Sequence, residues 1–236
     1  MHLFYNPNIK KNLCLSKEES KHCINVLRYK KGDIIHISNG NGILYTAEIT
    51  ESKKKCKVII LKEKHFHKKS NLHIAIAPTK STSRFEWFLE KSIEIGIGKI
   101  TPLVCENSER KTINYNRLNK IIIAACKQSL TMHIPKINKL TSFKYFLDDN
   151  KKSNQYIAHC NKEFKSTPFT KEKFKKSSCI LLIGPEGDFS KYEIKTALEN
   201  GVKSVNLGKN RLRTETAGIY GAIAFSMLNT CNIYTH

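Results

Sequence analysis

Acidic side chains are scarce in this chain: 20 Asp and Glu stand against 41 Lys and Arg in 236 residues, a formal net charge of +21. Such an imbalance is self-repelling and points to a polyanionic partner, because counterion release from a phosphate backbone gives a basic surface sequence-independent affinity. Arginine is itself rare, six against 35 lysines, and richness in Lys, Asn and Ile is also what a biased coding composition produces. The excess is densest at the start, +9 over residues 1–70 against +12 over residues 71–236. No run approaches the roughly 18 apolar residues of a spanning helix, which argues against a membrane protein. The opening "MHLFYNPNIKKNLCLSKEES" lacks a basic segment followed by an apolar block, so no secretion signal is read and the expected compartment is the cytoplasm.

Other absences narrow the chemistry. The eight cysteines (Cys14, Cys23, Cys56, Cys105, Cys126, Cys160, Cys179 and Cys231) stand singly, without CxxC or zinc-finger spacing, which argues against a disulfide framework or a structural zinc. The nine histidines form no HExxH or comparable ligand set, and His65 and His67 fall in an expected linker, so no metal is expected. A Walker loop, a GxGxxG fingerprint and a GxSxG nucleophile elbow are all missing.

The elements present divide the chain in two. In "SKEESKHCINVLRY", Ser16 and Glu19 have capping-box spacing and Cys23, Val26 and Leu27 are expected to face a core, with Arg28 at the helix end. Residues 33–38 and 43–49 flank an Asn-Gly-Asn-Gly turn, a hairpin signal, and "KCKVIILKEK" supplies another strand. These short strands predict a compact, barrel-like module, and the polar, basic "KHFHKKSN" marks the boundary, giving domains 1–70 and 71–236.

Beyond that boundary strands and helices alternate. "LHIAIAP", "KITPLV", "NQYIAHC", "CILLIG" and "VKSVNLG" read as strands. "SRFEWFLEKSIEIGIG" and "NYNRLNKIIIAACKQSL" read as amphipathic helices, the first with Phe85, Phe88, Leu89 and Ile93 on its apolar side and Trp87 expected in the core. Further helices are expected near 190–200 and 216–229. The alternation predicts an α/β domain with a mostly parallel sheet, whose ligands sit beyond the strand C-termini. Two loops occupy that position, 184–188 and 208–216, while the stretch from about 140 to 178 carries no chemical signal.

The first loop, "GPEGDFS", fits a phosphate nest poorly because Glu186 and Asp188 adjoin it; its glycines can instead let backbone approach a flat or cationic group, or simply make a turn, with Ser190 and Glu193 capping the next helix. The second, "LGKNRLRTETAGIYG", brings Arg211 and Arg213 beside Thr214, Glu215 and Thr216. Two forked donors at a strand end can organise a carboxylate, a phosphate or a polarised carbonyl. The small-residue helix that follows is suited to close packing or a subunit contact.

"LLIGPEGDFSKYEI" together with "LGKNRLRTETA" resembles the paired C-terminal signature of the ribosomal RNA small subunit methyltransferase E family, of the SPOUT class of S-adenosylmethionine-dependent RNA methyltransferases. The resemblance extends to "FEWFLEKSIEIGIGKITPLVCENSER", to "AACKQSL" followed by "IPKI", and to "HCINVLRYKKGDIIHISNGNG", and so spans essentially the whole chain. It implies a PUA-like RNA-binding β-barrel over 1–70, a trefoil-knotted α/β methyltransferase domain over 71–236, a homodimer, S-adenosylmethionine as methyl donor without a metal, and methylation of uridine N3 in small-subunit (16S) ribosomal RNA within the assembled 30S particle. Carried over by position, it implies donor contacts from Ile183, Gly184, Pro185, Gly187, Leu207, Gly208, Leu212, Thr214, Thr216 and Ala217, and RNA contacts from Arg28, Arg84, Arg110 and Arg211, Arg110 being equally placed to pair Glu106 or Glu109. The chain departs from the family pattern at Asp188, usually glycine, at Arg211, usually aliphatic, and at "LTMH" after "KQS", where basic residues are common.

On the chemistry that follows, Arg213, ahead of Arg211, is expected to stabilise the anion formed when uridine N3 loses its proton, with Glu215 or Glu186 accepting that proton directly or through water. Two alternatives stand beside this reading: a SPOUT enzyme acting on another ribosomal or transfer RNA position, and a non-catalytic RNA-binding assembly factor.

Overall fold

The computed structural model describes residues 2–53, 55–67, 70–151, 153–171 and 178–230, with the side chains of 229 and 230 left aside. Cys231, His236, Lys68 and Lys69 of the expected linker, and residues 172–177 of the basic connection lie outside the described residues. By its contacts the chain forms two compact units, 1–69 with 123–134, and 70–122 with 135–236.

In the first unit, β1 (Leu3–Tyr5), β2 (Ile34–Ser38), β3 (Ile43–Ser52) and β4 (Cys56–His65) form one sheet in that order. The first pair is parallel and the other two antiparallel. The β2–β3 turn behaves as its sequence predicts: Gly40 and Gly42 take φ of +75° and +87°, and the Asn39 side chain accepts the amides of Asn41 and Ile43. The expected barrel is a four-stranded order in which β1 and β4 do not pair. Instead, residues 13–15 run antiparallel to the start of β4 through a Cys14–Lys57 bridge, with Leu15 N–H donating to Cys56 O and Val58 N–H to Leu13 O.

Two short helices precede β2: α1 (Ile9–Asn12) and α2 (Lys17–Lys21). Ser16 caps α2 by accepting the Glu19 amide, but the Glu19 carboxylate turns to Lys127 Nζ at 2.7 Å rather than back to the cap. The chain then widens into a π turn over 22–26. That turn changes the register, so Cys23 is fully buried while Val26, expected inside, is exposed. Arg28 follows in the left-handed region at φ +59°, exposed.

The second unit is a parallel α/β sheet. Its strands are β5 (Leu72–Ile76), β6 (Lys99–Val104), β7 (Lys136–Ile137), β8 (Thr141–Ser142), β9 (Asn154–Ala158), β10 (Thr167–Pro168), β11 (Cys179–Ile183) and β12 (Lys203–Asn206). The order is β10-β12-β9-β11-β5-β6-β7, with β8 also on β6, and every pairing is parallel. The helices are α3 (Thr82–Ile95), α4 (Tyr115–Gln128, of which residues 123–128 belong to the first unit), α5 (Phe143–Asp149), α6 (Lys191–Glu199) and α7 (Thr214–Thr230).

All five residues of β5 and of β11 are buried, as expected where helices cover both faces of a parallel sheet. The period of two sorts them. Ala75, Ile180 and Leu182 pack with Phe143, Phe146, Leu147, Ile194 and Ala197 of α5 and α6. On the other face a Cβ added at Gly218 of α7 would meet Phe88 of α3 and Ile76 at 2.5 and 3.1 Å, and one at Gly221 would meet Leu181 at 2.2 Å. The small residues of α7 are therefore required by its close seat on β5, β11 and α3. Trp87, expected in the core, lies on the open side of α3 at 46% exposure, because Phe85, Phe88, Leu89 and Ile93 already fill the buried face.

Candidate active site

Strands β12, β9 and β11 are consecutive neighbours, so their C-terminal ends open together. The segments that leave them, 158–170, 183–188 and 206–217, line a cavity of about 950 Å³. Such a volume suits a small organic ligand, and the crevice beyond parallel strand ends is where α/β sheets place one.

The two loops singled out in the sequence are fastened to each other. Thr214 Oγ1, in the first turn of α7, donates to Gly184 O at 3.1 Å, and Arg211 Nη2 donates to Glu186 O at 2.8 Å. Below them Ser190 and Glu193 complete the expected capping box on α6, and the second oxygen of Glu193 accepts the Glu106 amide at 3.0 Å. The burial that this placement imposes raises the Glu193 carboxyl above its ordinary pKa.

Glycine serves different ends at each position. A Cβ at Gly184 would press on Phe189 at 3.0 Å and one at Gly187 on Asn107 at 3.2 Å, so both absences serve protein packing. Gly208 is the opposite case: it lines the cavity at φ +127°, and a Cβ there would meet nothing within 4 Å. Open space beside bare backbone is what a closely approaching ligand needs.

Of the residues expected to hold a donor, Ile183, Gly184, Pro185, Leu207, Gly208, Leu212, Thr214 and Ala217 line this cavity, while Gly187 faces Asn107 and Thr216 is exposed elsewhere on α7. Arg213 stands on the wall, exposed, and among the described residues no hydrogen bond or ion pair engages its guanidinium. Glu186 is also on the wall, with Oε1 accepting the Lys80 amide at 2.9 Å. Glu215 is not: it is buried at the head of α7 with Oε1 3.8 Å from Arg84 Nε, and its Oε2 finds no partner among the described residues. The Arg110 guanidinium donates to Thr79 O and Lys80 O at 3.0 and 2.6 Å rather than pairing with Glu106 or Glu109; the latter takes Lys80.

The third wall was silent in the sequence. His159 is buried with Nε2 2.7 Å from Ser204 Oγ and its ring edge-on to Phe164, and burial pushes its pKa down, toward the neutral imidazole. Asp188 supplies the link between walls. Its Oδ2 accepts the Cys160 amide and its Oδ1 the Phe189 amide, both at 2.8 Å, from a backbone at φ +65°. That left-handed conformation explains how Asp stands where the resembled family has glycine, since Asp enters this region more readily than most side chains. The signal that would have found the third wall is position alone: residues just after a parallel strand share the edge on which the other loops open.

The chain is similar to known proteins in sequence and in fold. Residues 67–226 match the family model of an RNA methyltransferase domain, and residues 15–61 that of an RNA methyltransferase PUA domain. The ribosomal RNA small subunit methyltransferase E of Buchnera aphidicola from Acyrthosiphon pisum is 32% identical, over 92% of this chain and 87% of that protein. Among solved structures, a probable rRNA-methyltransferase from Porphyromonas gingivalis superposes with a TM-score of 0.92 at 35% identity, covering 98% of this chain and all of that one. The Neisseria gonorrhoeae ribosomal RNA small subunit methyltransferase E, bound to S-adenosylmethionine, does so with a TM-score of 0.83 at 27% identity, over 97% and 98% of the two chains.

Proposed function

The chain belongs to the ribosomal RNA small subunit methyltransferase E family, and on that premise we propose that it transfers a methyl group from S-adenosylmethionine to N3 of one uridine in small-subunit ribosomal RNA. The observation that carries the reading is the cavity at the ends of β9, β11 and β12, with Arg213 on its wall and its guanidinium unpaired among the described residues. The residues fit the donor. Ile183, Pro185, Leu207 and Leu212 offer apolar flanks to adenine, the open backbone at Gly208 admits ribose, and the Asp188 carboxylate suits a cation.

The donor supplies a methyl already activated by its sulfonium, so the protein's work is alignment and charge. Arg213 donates hydrogen bonds to the uridine oxygens that carry negative charge once N3 is deprotonated. Glu186, on the same wall, accepts the N3 proton; Glu215, off the wall, holds Arg84, which with Arg110 and Arg211 contacts RNA from the second unit, while Arg28 does so from the first. The lysine-rich surface adds non-specific affinity.

The family's homodimer belongs to the same proposal. It is supported by Tyr220, Ile223 and Met227, an exposed apolar line on α7 at 37, 42 and 64%, the first of which also borders the cavity. The trefoil threading is proposed on the return of α7 onto β5 and β11 after the 206–213 loop. No helix among the described residues is long and apolar enough to cross a membrane, and among them no cluster suits a metal ion. We place the enzyme in the cytoplasm, on the assembled 30S particle.

Labelled donor supplied with isolated small subunits, with naked ribosomal RNA and with transfer RNA tests the reading. Label on a uridine N3 of the subunit is the expected result. Label on transfer RNA alone would move the chain to another SPOUT activity, and a folded protein that binds no donor would make it an assembly factor.

A further inference from the structure

Resting on the donor reading above, we propose that Asp188 lets the cavity discriminate the cationic donor from its demethylated thioether product, S-adenosylhomocysteine. The two ligands differ by a methyl group and one positive charge, and only the charge is read by a carboxylate.

The carboxylate is fixed before any ligand arrives. Each oxygen accepts one backbone amide, from Phe189 and from Cys160, at 2.8 Å, so the group cannot swing out into solvent without losing both bonds. Each oxygen keeps further acceptor capacity. Asp188 lines the cavity and is half-buried. Among the described residues no Lys or Arg forms an ion pair with it. The other acid on the wall, Glu186, is exposed and turned to the Lys80 amide.

The cations of the wall are arranged differently. Arg211 is committed to Glu186 O, whereas Lys162, Lys209 and Arg213 form no pair with Asp188. The Asp188 charge is felt on the adjoining wall, where it favours the protonated form of His159 against the larger effect of burial, and that of Cys160 together with burial and against Arg211. A field that reaches those side chains also reaches a ligand in the cavity that all three residues line. The strained φ of +65°, which glycine would relieve, is accepted along with the charge.

Product that binds as tightly as donor occupies the site after each turnover; a fixed anion favours exchange for fresh donor. The discriminating experiment is calorimetry of the full chain with S-adenosylmethionine and with S-adenosylhomocysteine, on the native protein, Asp188→Asn and Asp188→Gly, with thermal melts to verify folding. Glycine suits the backbone, and asparagine keeps the shape. The expected result is a preference for the donor over the product that falls on the order of tenfold in both variants, through weaker donor binding. An equal loss for both ligands would reduce Asp188 to a clip between the 160 and 188 segments and overturn the proposal. An unchanged ratio would overturn it as well, leaving the donor reading intact. A native protein that binds neither ligand would remove the donor reading and this inference together.

Discussion

The Thr214 hydroxyl donates to the Gly184 carbonyl at 3.1 Å, tying the first turn of α7 to the end of β11 across 30 residues of sequence. Both groups are buried, so Thr214→Val leaves the carbonyl without that donor at a cost of about 1–3 kcal/mol. Urea denaturation should show the loss and calorimetry a weaker donor affinity. Thr214→Ser, which restores the hydroxyl, should recover both; if serine behaves like valine, the hydrogen bond is not the agent.

Arg213→Ala should lower the rate of methyl transfer by roughly 10²–10³-fold, the range seen when a single donor to a developing oxyanion is removed. Donor affinity should change much less, because the guanidinium engages the acceptor base. Single-turnover kinetics alongside equilibrium donor binding separates the two quantities. Equal losses in both would make Arg213 a wall of the donor pocket rather than a stabiliser of the uridine anion.

Gly218→Ala and Gly221→Ala test the close seat of α7. The added methyls meet the Phe88 ring at 2.5 Å and Leu181 at 2.2 Å, and both neighbours are fully buried. Overpacking of this kind costs about 1–3 kcal/mol. A fall in the denaturation midpoint is expected for each, whereas Gly201→Ala, whose Cβ meets nothing within 4 Å, is destabilised only by its φ of +79°. Midpoints unchanged in the first two would mean that α7 sits further from the sheet.

Acid should weaken the second unit through His73. Burial between β5 and its neighbours, with Nε2 2.7 Å from Thr101 Oγ1, pulls its pKa down to about 3 from 6.5. The unfolded chain therefore binds a proton that the folded chain refuses. Stability is complete above pH 6.5 and is lost as pH falls from there toward 3, at up to about 1.4 kcal/mol per pH unit. His159, shifted in the same direction, adds to the slope. Denaturation curves at pH 7, 6 and 5 measure it, and His73→Gln should flatten it; an unaltered slope would assign the acid sensitivity to other groups.

Ile223→Asp puts a charge in the middle of the exposed line on α7. Sedimentation should show the native chain as a dimer and this variant as a monomer with its helix content intact. A native monomer, or a variant that stays dimeric, places the subunit contact elsewhere or removes it.

Much of this arrangement could be read in the residues, and the parts that could not have physical reasons. Ser190 and Glu193 announced α6 because capping is local, and the uninterrupted apolar run of β11 announced a strand, which the structure buries on both faces. Val26 and Trp87 misled because a hydrophobic side chain at helical spacing does not reveal a π turn or a face already filled by its neighbours. The wall from Ala158 to Thr170 was silent for another reason: it has no motif, and its role comes entirely from the parallel pairing of β9 with β11 and β12. The glycines of "GPEG" suggested ligand approach, yet both are spent on Phe189 and Asn107, and of the three glycines in the two loops it is Gly208 that has open space beside it.

The hydrogen bonds from Arg211 and Thr214 back to Glu186 and Gly184 also set an order of events during synthesis. A nascent chain that has emerged as far as β11 or β12 already holds strands of the sheet, but the partners that fix the 184–188 loop have yet to be made. On the nascent chain the pocket is therefore completed late, and a small-molecule ligand finds its full set of walls only after Arg211 and Thr214 have emerged.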